Sequence, residues 1–156
     1  MKTISSPLPH PVELAPHDPP MLLIDEVITA DDAHVVTRTK IASDYIFSVP
    51  GRGVPGYVGF ELMAQSISIM DGALRRASGE PPAIGFLLGC RKYRTRVEWI
   101  AHGDYLEIEA INLLPEGELR SFDCHVRYVS GENIAHGVIN VYRPENLETF
   151  LTSADA

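Results

Sequence analysis

The sequence predicts an α+β fold in which an antiparallel sheet of six strands wraps around one long central helix. Two β-rich segments come first, "LLIDEVITA" and "HVVTRTKIA", joined by the short turn "DDA". Residues 57–77 then follow a helical pattern, with Arg75 and Arg76 in the last turn and Gly79 just beyond it. After Pro82 only strand patterns occur, so the expected element order is β-β-α-β-β-β-β.

The four later strands are expected to be antiparallel neighbours. They read "AIGFLLGCRKYRTRV", "DYLEIEAINLL", "RSFDCHVRYV" and "NIAHGVINVYR", and the middle two alternate apolar and polar residues. The links between them, "AHGD", "PEGE" and "SGEN", are short and contain glycine, which is typical of hairpin connections. A sheet of this kind leaves an edge strand free to pair with a second subunit.

Length and composition indicate one globular domain spanning residues 1–156. The chain has 156 residues of which 45% are hydrophobic, enough to fill a core. Six prolines within residues 1–20 predict an extended leader over the surface rather than a helix. No signal peptide and no run of about 20 apolar residues is found, which favours a cytoplasmic protein outside the membrane. Cys90 and Cys124 lie in apolar segments and are expected to be reduced core residues.

The net charge of −8 argues against nonspecific binding to nucleic acid or to an anionic membrane. The exception is the segment "RKYRTR", which we call the basic patch and which contains Arg91, Lys92, Arg94 and Arg96. In a regular strand, Lys92, Arg94 and Arg96 would lie on one face and Arg91 on the other. The patch is either a solvated strand end or a docking surface for an anionic partner.

The segment "GRGVPG", residues 51–56, has the spacing of a dinucleotide-binding loop but not its setting. Pro50 ends the preceding strand, Pro55 stands inside the supposed phosphate turn, and the position 20 residues beyond Gly56 is Arg76 instead of an acid. No phosphate-binding loop or serine nucleophile motif occurs elsewhere. His125 and His136 have no metal-ligand spacing, so no metal site is expected.

The helix segment "YVGFELMAQSISIMDGAL" is apolar or small at nearly every position, which indicates a buried helix. Glu61, Gln65 and Ser68 nevertheless form one polar stripe at spacings i, i+4 and i+7. Such a stripe should face a partner subunit, a cavity, or both.

Four segments resemble the hot-dog fold 3-hydroxyacyl-acyl-carrier-protein dehydratases, the FabZ-like and FabA-like family. "APHDPPMLLIDEVI" resembles the opening "LPHRxPFLLVDRV", with His17 and Asp25 at matching positions, and "VPGYVGFELMAQ" resembles the helix segment "MPGVLxxEAMAQ". "IGFLLGCRKYRTRV" and "HGDYLEIEA" resemble the following strand and the "PGDxLxxEV" turn. The resemblance extends over residues 8–143, and "VPxxVGxExMAQ" with "GFLLGxRxY" is similar to the ApeP-like subgroup associated with aryl polyene synthesis.

This resemblance implies a hot-dog fold and roles for individual residues. Glu61 would be the acid and water positioner, Gln65 would orient it, and the Gly56 amide would polarise the thioester carbonyl. The substrate would be bound around Pro55, Gly56, Val58 and Phe60. Phe60, Met63 and Ile67 could line an acyl tunnel, although core packing alone explains them and is the favoured interpretation. The acyl chain would arrive on the phosphopantetheine arm of an acidic carrier protein that docks on the basic patch, and no other cofactor is implied.

One departure from the family concerns the base. The family has its catalytic histidine in a "GHFP" segment ahead of Pro-Gly, whereas the loop here reads "DYIFSVPGRGVPG" and contains none. We expect a heterodimer in which a histidine-bearing paralogue completes the site against Glu61. The alternatives are a homodimer that uses Glu61 alone or His17, a hot-dog thioesterase, and a noncatalytic acyl-binding subunit. From the residues alone, the favoured interpretation of His17 and of Asp25 is a hydrogen-bonded structural residue that fixes the leader.

Overall fold

The computed structural model describes residue 4 and residues 7–155, so part of the predicted leader lies outside the described residues. A 3-10 turn at Pro11–Glu13 precedes all other elements. The strands are β1 (Glu26–Ala30), β2 (His34–Lys40), β3 (Val54–Pro55), β4 (Phe86–Thr95), β5 (Trp99–Ile100), β6 (Tyr105–Asn112), β7 (Leu119–Tyr128) and β8 (Asn133–Tyr142), and the helices are α1 (Val58–Ala77) and α2 (Leu147–Ala154).

Six of the strands form one antiparallel sheet in the order β1-β2-β6-β7-β8-β4, and α1 packs on its inner face. The apolar positions of the strands alternate inward as predicted: Phe122, Cys124 and Val126 of β7 are buried while the residues between them are partly exposed. The core joins these positions to Leu62 and Ile69 of the helix. The predicted sheet around a central helix is therefore present.

The described part of the leader lies mostly at the surface and crosses α1. Leu14 is buried in the core. A Cβ added to Gly72 would lie only 2.1 Å from the Leu14 carbonyl oxygen. Only a glycine at position 72 allows the two backbones to approach so closely. The predicted extended leader is interrupted at Pro11–Glu13 by a 3-10 turn, which His10 caps by accepting from the Val12 N–H at 3.2 Å.

The C-terminal helix α2 was not predicted. Asn146 caps it, its side chain accepting from the Thr149 N–H at 3.0 Å. Phe150 attaches the helix to the sheet, with ring centroids 5.2 Å from Phe86 and 5.3 Å from Tyr142. Because the helix has only eight residues, this packing rather than intrinsic helix propensity holds it in place.

Strand β4 forms one edge of the six-stranded sheet, and it is irregular. Its pairing with β8 shifts register between Arg91 and Arg94, and Lys92 has a positive φ of 58°. The predicted alternation of the basic residues between two faces was therefore wrong, because a bulge interrupts the strand inside the basic patch. The first half of the same edge exposes Leu87 by 49% and Leu88 by 60%.

Both cysteines are free thiols, but only Cys124 is a fully buried core residue; Cys90 on β4 is partly exposed. Burial raises the pKa of both thiols above its ordinary value. Among the described residues, no helix is both long and apolar enough to span a membrane.

Candidate active site

The start of α1 is positioned by a short second sheet. Strand β3 pairs with β5 through Val54 opposite Ile100 and Pro55 opposite Trp99, which leads the chain directly into Gly56. A Cβ on Gly56 would lie 2.1 Å from the Val97 carbonyl oxygen, so no side chain fits at this step. The Pro-Gly pair therefore fixes where the helix begins.

The Gly56 peptide groups are already engaged. Its N–H donates to the Glu98 carbonyl oxygen at 2.8 Å, and its carbonyl oxygen accepts from the Tyr93 hydroxyl at 2.7 Å. Burial raises the pKa of Tyr93 to about 12, so this hydroxyl is a stable donor at neutral pH. The predicted polarisation of a thioester by the Gly56 amide would require that amide to share or exchange its present acceptor, and the role stays a prediction.

Glu61 lies in the first turn of α1, where the positive end of the helix dipole favours a carboxylate. Gln65 donates from Nε2 to Glu61 Oε1 at 2.8 Å and to the Met21 carbonyl oxygen at 2.7 Å. Gln65 Oε1 in turn accepts from the Leu23 N–H at 2.8 Å. The predicted contact between Gln65 and Glu61 is present, and Gln65 also ties the segment that follows the leader to the helix.

The segment after the leader is also held by the partly buried side chain of Tyr45. The Tyr45 hydroxyl donates to the Leu23 carbonyl oxygen at 2.8 Å and lies 2.5 Å from Thr39 Oγ1. Burial raises the pKa of Tyr45 to about 12. Asp25 accepts from the Lys40 N–H at 2.8 Å and from the Thr39 hydroxyl at 3.1 Å. These contacts fit the structural interpretation of Asp25.

His17 is partly buried in the leader, and its Nδ1 is buried without a hydrogen-bond partner among the described residues. A purely structural histidine is expected to satisfy such an atom. The unpartnered nitrogen keeps His17 as a candidate for a group that meets substrate or a partner subunit.

Sequence reasoning missed a different histidine, His102. It lies in the turn between β5 and β6, and its Nε2 is 2.5 Å from Ser48 Oγ. Ser48 belongs to the loop that precedes Pro-Gly and that contains no histidine of its own. The tertiary structure thus brings an imidazole to this loop from 54 residues along the chain, and no local motif marks it.

A cavity of about 520 Å³ runs along the second half of α1 towards the edge strand. Its apolar wall includes Ile67, Leu14, Ile84 and Leu87. Ser68, the last residue of the polar stripe, also lines it. Of the three stripe residues only Ser68 lines this cavity, because Gln65 is buried against Met21 and Leu23 and Glu61 lies outside it.

The far end of the cavity contains three arginines, Arg75, Arg120 and Arg143. Asp71 pairs with Arg143 and, at 3.2 Å, with Arg75. Burial and the neighbouring Arg143 lower the pKa of Arg120. The cavity thus combines an apolar body with a polar end.

Other predicted substrate-binding residues lie outside this cavity. Val58 and Met63 are buried in the core, and Pro55 is partly buried in β3. Phe60 packs edge-on to Tyr93 with ring centroids 6.0 Å apart. Of the helix residues named for an acyl tunnel, only Ile67 lines the cavity.

All four residues of the basic patch are exposed. Within the described part of the chain, Arg91, Lys92, Arg94 and Arg96 form no ion pair with a carboxylate. Two other arginines of the sheet do, Arg38 with Glu107 and Arg127 with Glu109. The patch therefore offers unneutralised positive charge at the end of the edge strand.

Comparison with known proteins agrees with this geometry. Residues 9–152 match the ApeP-like family, described as ApeP dehydratase. A structure of "The Dehydratase Heterocomplex ApeI:P from Xenorhabdus doucetiae" superimposes with a TM-score of 0.85 at 28% identity, covering 95% of this chain and 99% of that one. A hypothetical thioesterase from Streptococcus pneumoniae TIGR4 with coenzyme A gives 0.59 at 18% identity, covering 76% and 84%. Comparison with curated protein sequences gave no match.

The wrapped sheet, the Pro-Gly step and the helix-borne carboxyl group define a hot-dog fold protein. The E. coli PaaI protein from the phenylacetic acid degradation operon has the same fold, with a TM-score of 0.57 at 13% identity over 76% of this chain and 82% of that one. Since the family match extends over nearly the whole chain, the chain belongs to the ApeP-like dehydratase family.

Proposed function

We propose that this chain is a subunit of a 3-hydroxyacyl-carrier-protein dehydratase whose active site is completed by a histidine of a hot-dog partner subunit. The observation that supports this most is the combination of a Glu61 held by Gln65 with a preceding loop that has no histidine in its sequence. A carboxyl group held in place supports Glu61 as the acid, and the missing loop histidine supports a base from another subunit.

Dehydration requires a base and an acid on either side of the substrate. The base removes a proton from C2 of the acyl thioester, the electron pair forms the C2–C3 double bond, and the acid protonates the departing C3 hydroxyl group as water. Glu61 is proposed as the acid and water positioner, because Gln65 occupies its Oε1 and fixes its orientation. An amide at the start of α1 would stabilise the negative charge that develops on the thioester oxygen.

The exposed edge of the sheet is consistent with binding of a second subunit. Leu87 and Leu88 expose apolar surface on β4, and an unpaired edge of this kind is a template for another strand. The loop ahead of Pro-Gly exposes two further apolar side chains, Ile46 and Val49. The similarity to a structure described as a dehydratase heterocomplex favours a different hot-dog chain as the partner.

The substrate is proposed to be a 3-hydroxyacyl group on a carrier protein of fatty acid, polyketide or aryl polyene synthesis. An acidic carrier protein would meet the unneutralised charge of the basic patch, although the chain as a whole has a net charge of −8. The cavity along α1 would receive the acyl chain. The phosphopantetheine arm of the carrier would be the only prosthetic group that the reaction requires.

A homodimer with its own base is the second candidate, and two histidines support it. His17 has an unpartnered buried nitrogen, and His102 reaches the loop that precedes Pro-Gly. Thioester hydrolysis is a third candidate, because a helix carboxylate can also direct water, and structures described as thioesterases share the fold.

The deciding experiment compares the purified chain alone with the chain mixed with a hot-dog protein from the same organism that contains the loop histidine. A 3-hydroxyacyl carrier protein is supplied, and mass spectrometry follows the 2-enoyl thioester. We expect turnover only in the mixture, and its loss when the partner's loop histidine is replaced by alanine.

Three other results would each indicate a different function or subunit arrangement. Full turnover by the chain alone would contradict a composite site, and its loss on His17→Ala or His102→Ala would then identify the base. Release of free hydroxy acid, with no enoyl product, would show a thioesterase. An inactive mixture that still binds acyl carrier protein would indicate a noncatalytic acyl-binding subunit.

A further inference from the structure

Three side chains that can ligate a metal converge on the outer face of the sheet, on the side opposite α1. His125 on β7 and His136 on β8 are directly opposite each other in the strand register. Asp123 precedes His125 by two residues and therefore lies on the same face. One ligand atom from each of the three lies within 4.8 Å of the others, and among the described residues no other group of three or more such side chains does this.

The distances suit a small ion. Asp123 Oδ1 is 2.5 Å from His136 Nε2, and Asp123 Oδ2 is 3.5 Å from His125 Nε2. Zinc bonds of about 2.0–2.2 Å in tetrahedral geometry place ligand atoms roughly 3.3–3.5 Å apart. The second pair already has this separation, and the first pair would open by a small side-chain rotation to admit the ion.

The site is accessible without being fully exposed. The side chains of His125, Asp123 and His136 are exposed by 26%, 32% and 40%. Their two strands are fixed by the sheet ladder, and the intervening Cys124 is fully buried in the core. The ligands are therefore presented from a rigid surface, and solvent can supply the remaining coordination position.

A second observation points to the same centre. Asn133 Nδ2 lies 3.2 Å from His125 Nδ1, while Asn133 Oδ1 is buried without a hydrogen-bond partner among the described residues. Rotating the Asn133 side-chain amide by about 180° would let Asn133 Oδ1 accept from the Nδ1–H of His125. The lone pair of His125 Nε2 would then be directed at Asp123. This is the outer-shell arrangement that metal-bound histidines use to fix their tautomer.

We propose that Asp123, His125 and His136 bind one divalent transition-metal ion, with Zn²⁺ as the reference ion and water completing the coordination. Two imidazoles and one carboxylate favour such ions over Mg²⁺ or Ca²⁺, which prefer oxygen ligands. Arg94 is paired with His136 in the strand register, and its positive charge disfavours a bound cation. Glu109, opposite His125, is paired with Arg127 at 2.5 Å.

The test uses tag-free full-length protein, freed of metal by a chelator and titrated with ZnCl₂ in a calorimeter. We expect one ion per chain with a Kd of about 10 µM or lower. His125→Ala and His136→Ala should each weaken binding at least about tenfold. His34→Ala is the matched control, since His34 sits beside a single carboxylate, Asp31, at 3.3 Å, and this variant should bind as wild type does.

Two further measurements sharpen the assignment. Arg94→Gln should tighten Zn²⁺ binding about two- to fivefold, because a positive charge near the ion is removed. In the unsubstituted protein, Zn²⁺ should protect His125 and His136 from diethylpyrocarbonate, whereas Mg²⁺ should not. The proposal is overturned if the wild type binds no Zn²⁺, if both histidine variants bind as tightly as wild type, or if protection falls on other histidines.

Discussion

Gln65 donates from Nε2 to Oε1 of Glu61 across one turn of α1, over 2.8 Å, and its own Oε1 accepts from the backbone N–H of Leu23 at 2.8 Å. The amide is fully buried, so it cannot exchange these partners for water. The carboxyl group at the start of the helix is consequently oriented by the segment that precedes β1.

Replacing Glu61 with glutamine should abolish most of the dehydratase turnover of the chain with its partner. The amide has nearly the same shape but cannot supply a proton as a carboxylic acid does, so kcat should fall about 10²- to 10⁴-fold with little change in KM. Enoyl product formation measures the effect. Glu132→Gln, at an exposed carboxyl group, is the control. Retention of more than a tenth of the activity would exclude Glu61 as the acid.

Gln65→Leu should reduce both stability and turnover. The change leaves the Leu23 N–H and the Met21 carbonyl without their buried partner, which costs about 1–3 kcal/mol in the free energy of unfolding. It also frees Glu61, so kcat should fall while KM changes less. Urea unfolding and steady-state kinetics give the two effects. If kcat is unchanged while stability falls, Gln65 supports the fold only.

Charge reversal in the basic patch should weaken binding of the carrier protein without affecting the chemical step. Arg91→Glu, Lys92→Glu and Arg94→Glu together should raise KM for a carrier-bound substrate at least about tenfold, because attraction becomes repulsion. Turnover of a short N-acetylcysteamine thioester should be preserved. Lys40→Glu, on a strand far from the β4 edge in the sheet order, serves as the control. Equal losses with both substrates would indicate a structural role.

Introducing charge at the sheet edge should weaken association with the partner subunit. Leu87→Asp with Leu88→Asp places two carboxylates where apolar side chains are exposed, and the dissociation constant should rise at least about 10²-fold. Analytical ultracentrifugation of the mixture measures it. Val129→Asp is the control, since this exposed residue follows β7 and lies outside β4. An unaffected complex would place the interface on another surface.

Stability should fall in strongly alkaline solution because of two tyrosines. Burial raises the pKa of Tyr45 and of Tyr93 from 10.0 to about 12. The folded chain then holds these protons more tightly than the unfolded chain, so their contribution is complete below pH 10 and is lost as the pH rises towards 12. Denaturant unfolding between pH 9 and 12 should show a shallower decline for Tyr45→Phe with Tyr93→Phe than for wild type. Identical declines would contradict the raised pKa values.

Much of the fold could be predicted because its signals are local. The alternation in β6 and β7 follows from the two faces of a strand, and the helical pattern of residues 57–77 includes its own end signals. The contact between Gln65 and Glu61 follows from their i, i+4 spacing on a helix. Helix α2 was missed although Asn146 is a local cap, since eight residues form a stable helix only against Phe86 and Tyr142.

Tertiary structure decided the features that join distant residues. A register shift between β4 and β8 sets the bulge at Lys92, so no periodicity within β4 could predict which way the basic side chains point. His102 meets Ser48, 54 residues away, only through loop packing, and the register between β7 and β8 places His125 opposite His136. Spacing along the chain determines which residues share a face of one element; pairing between elements determines which faces, and therefore which functional groups, meet.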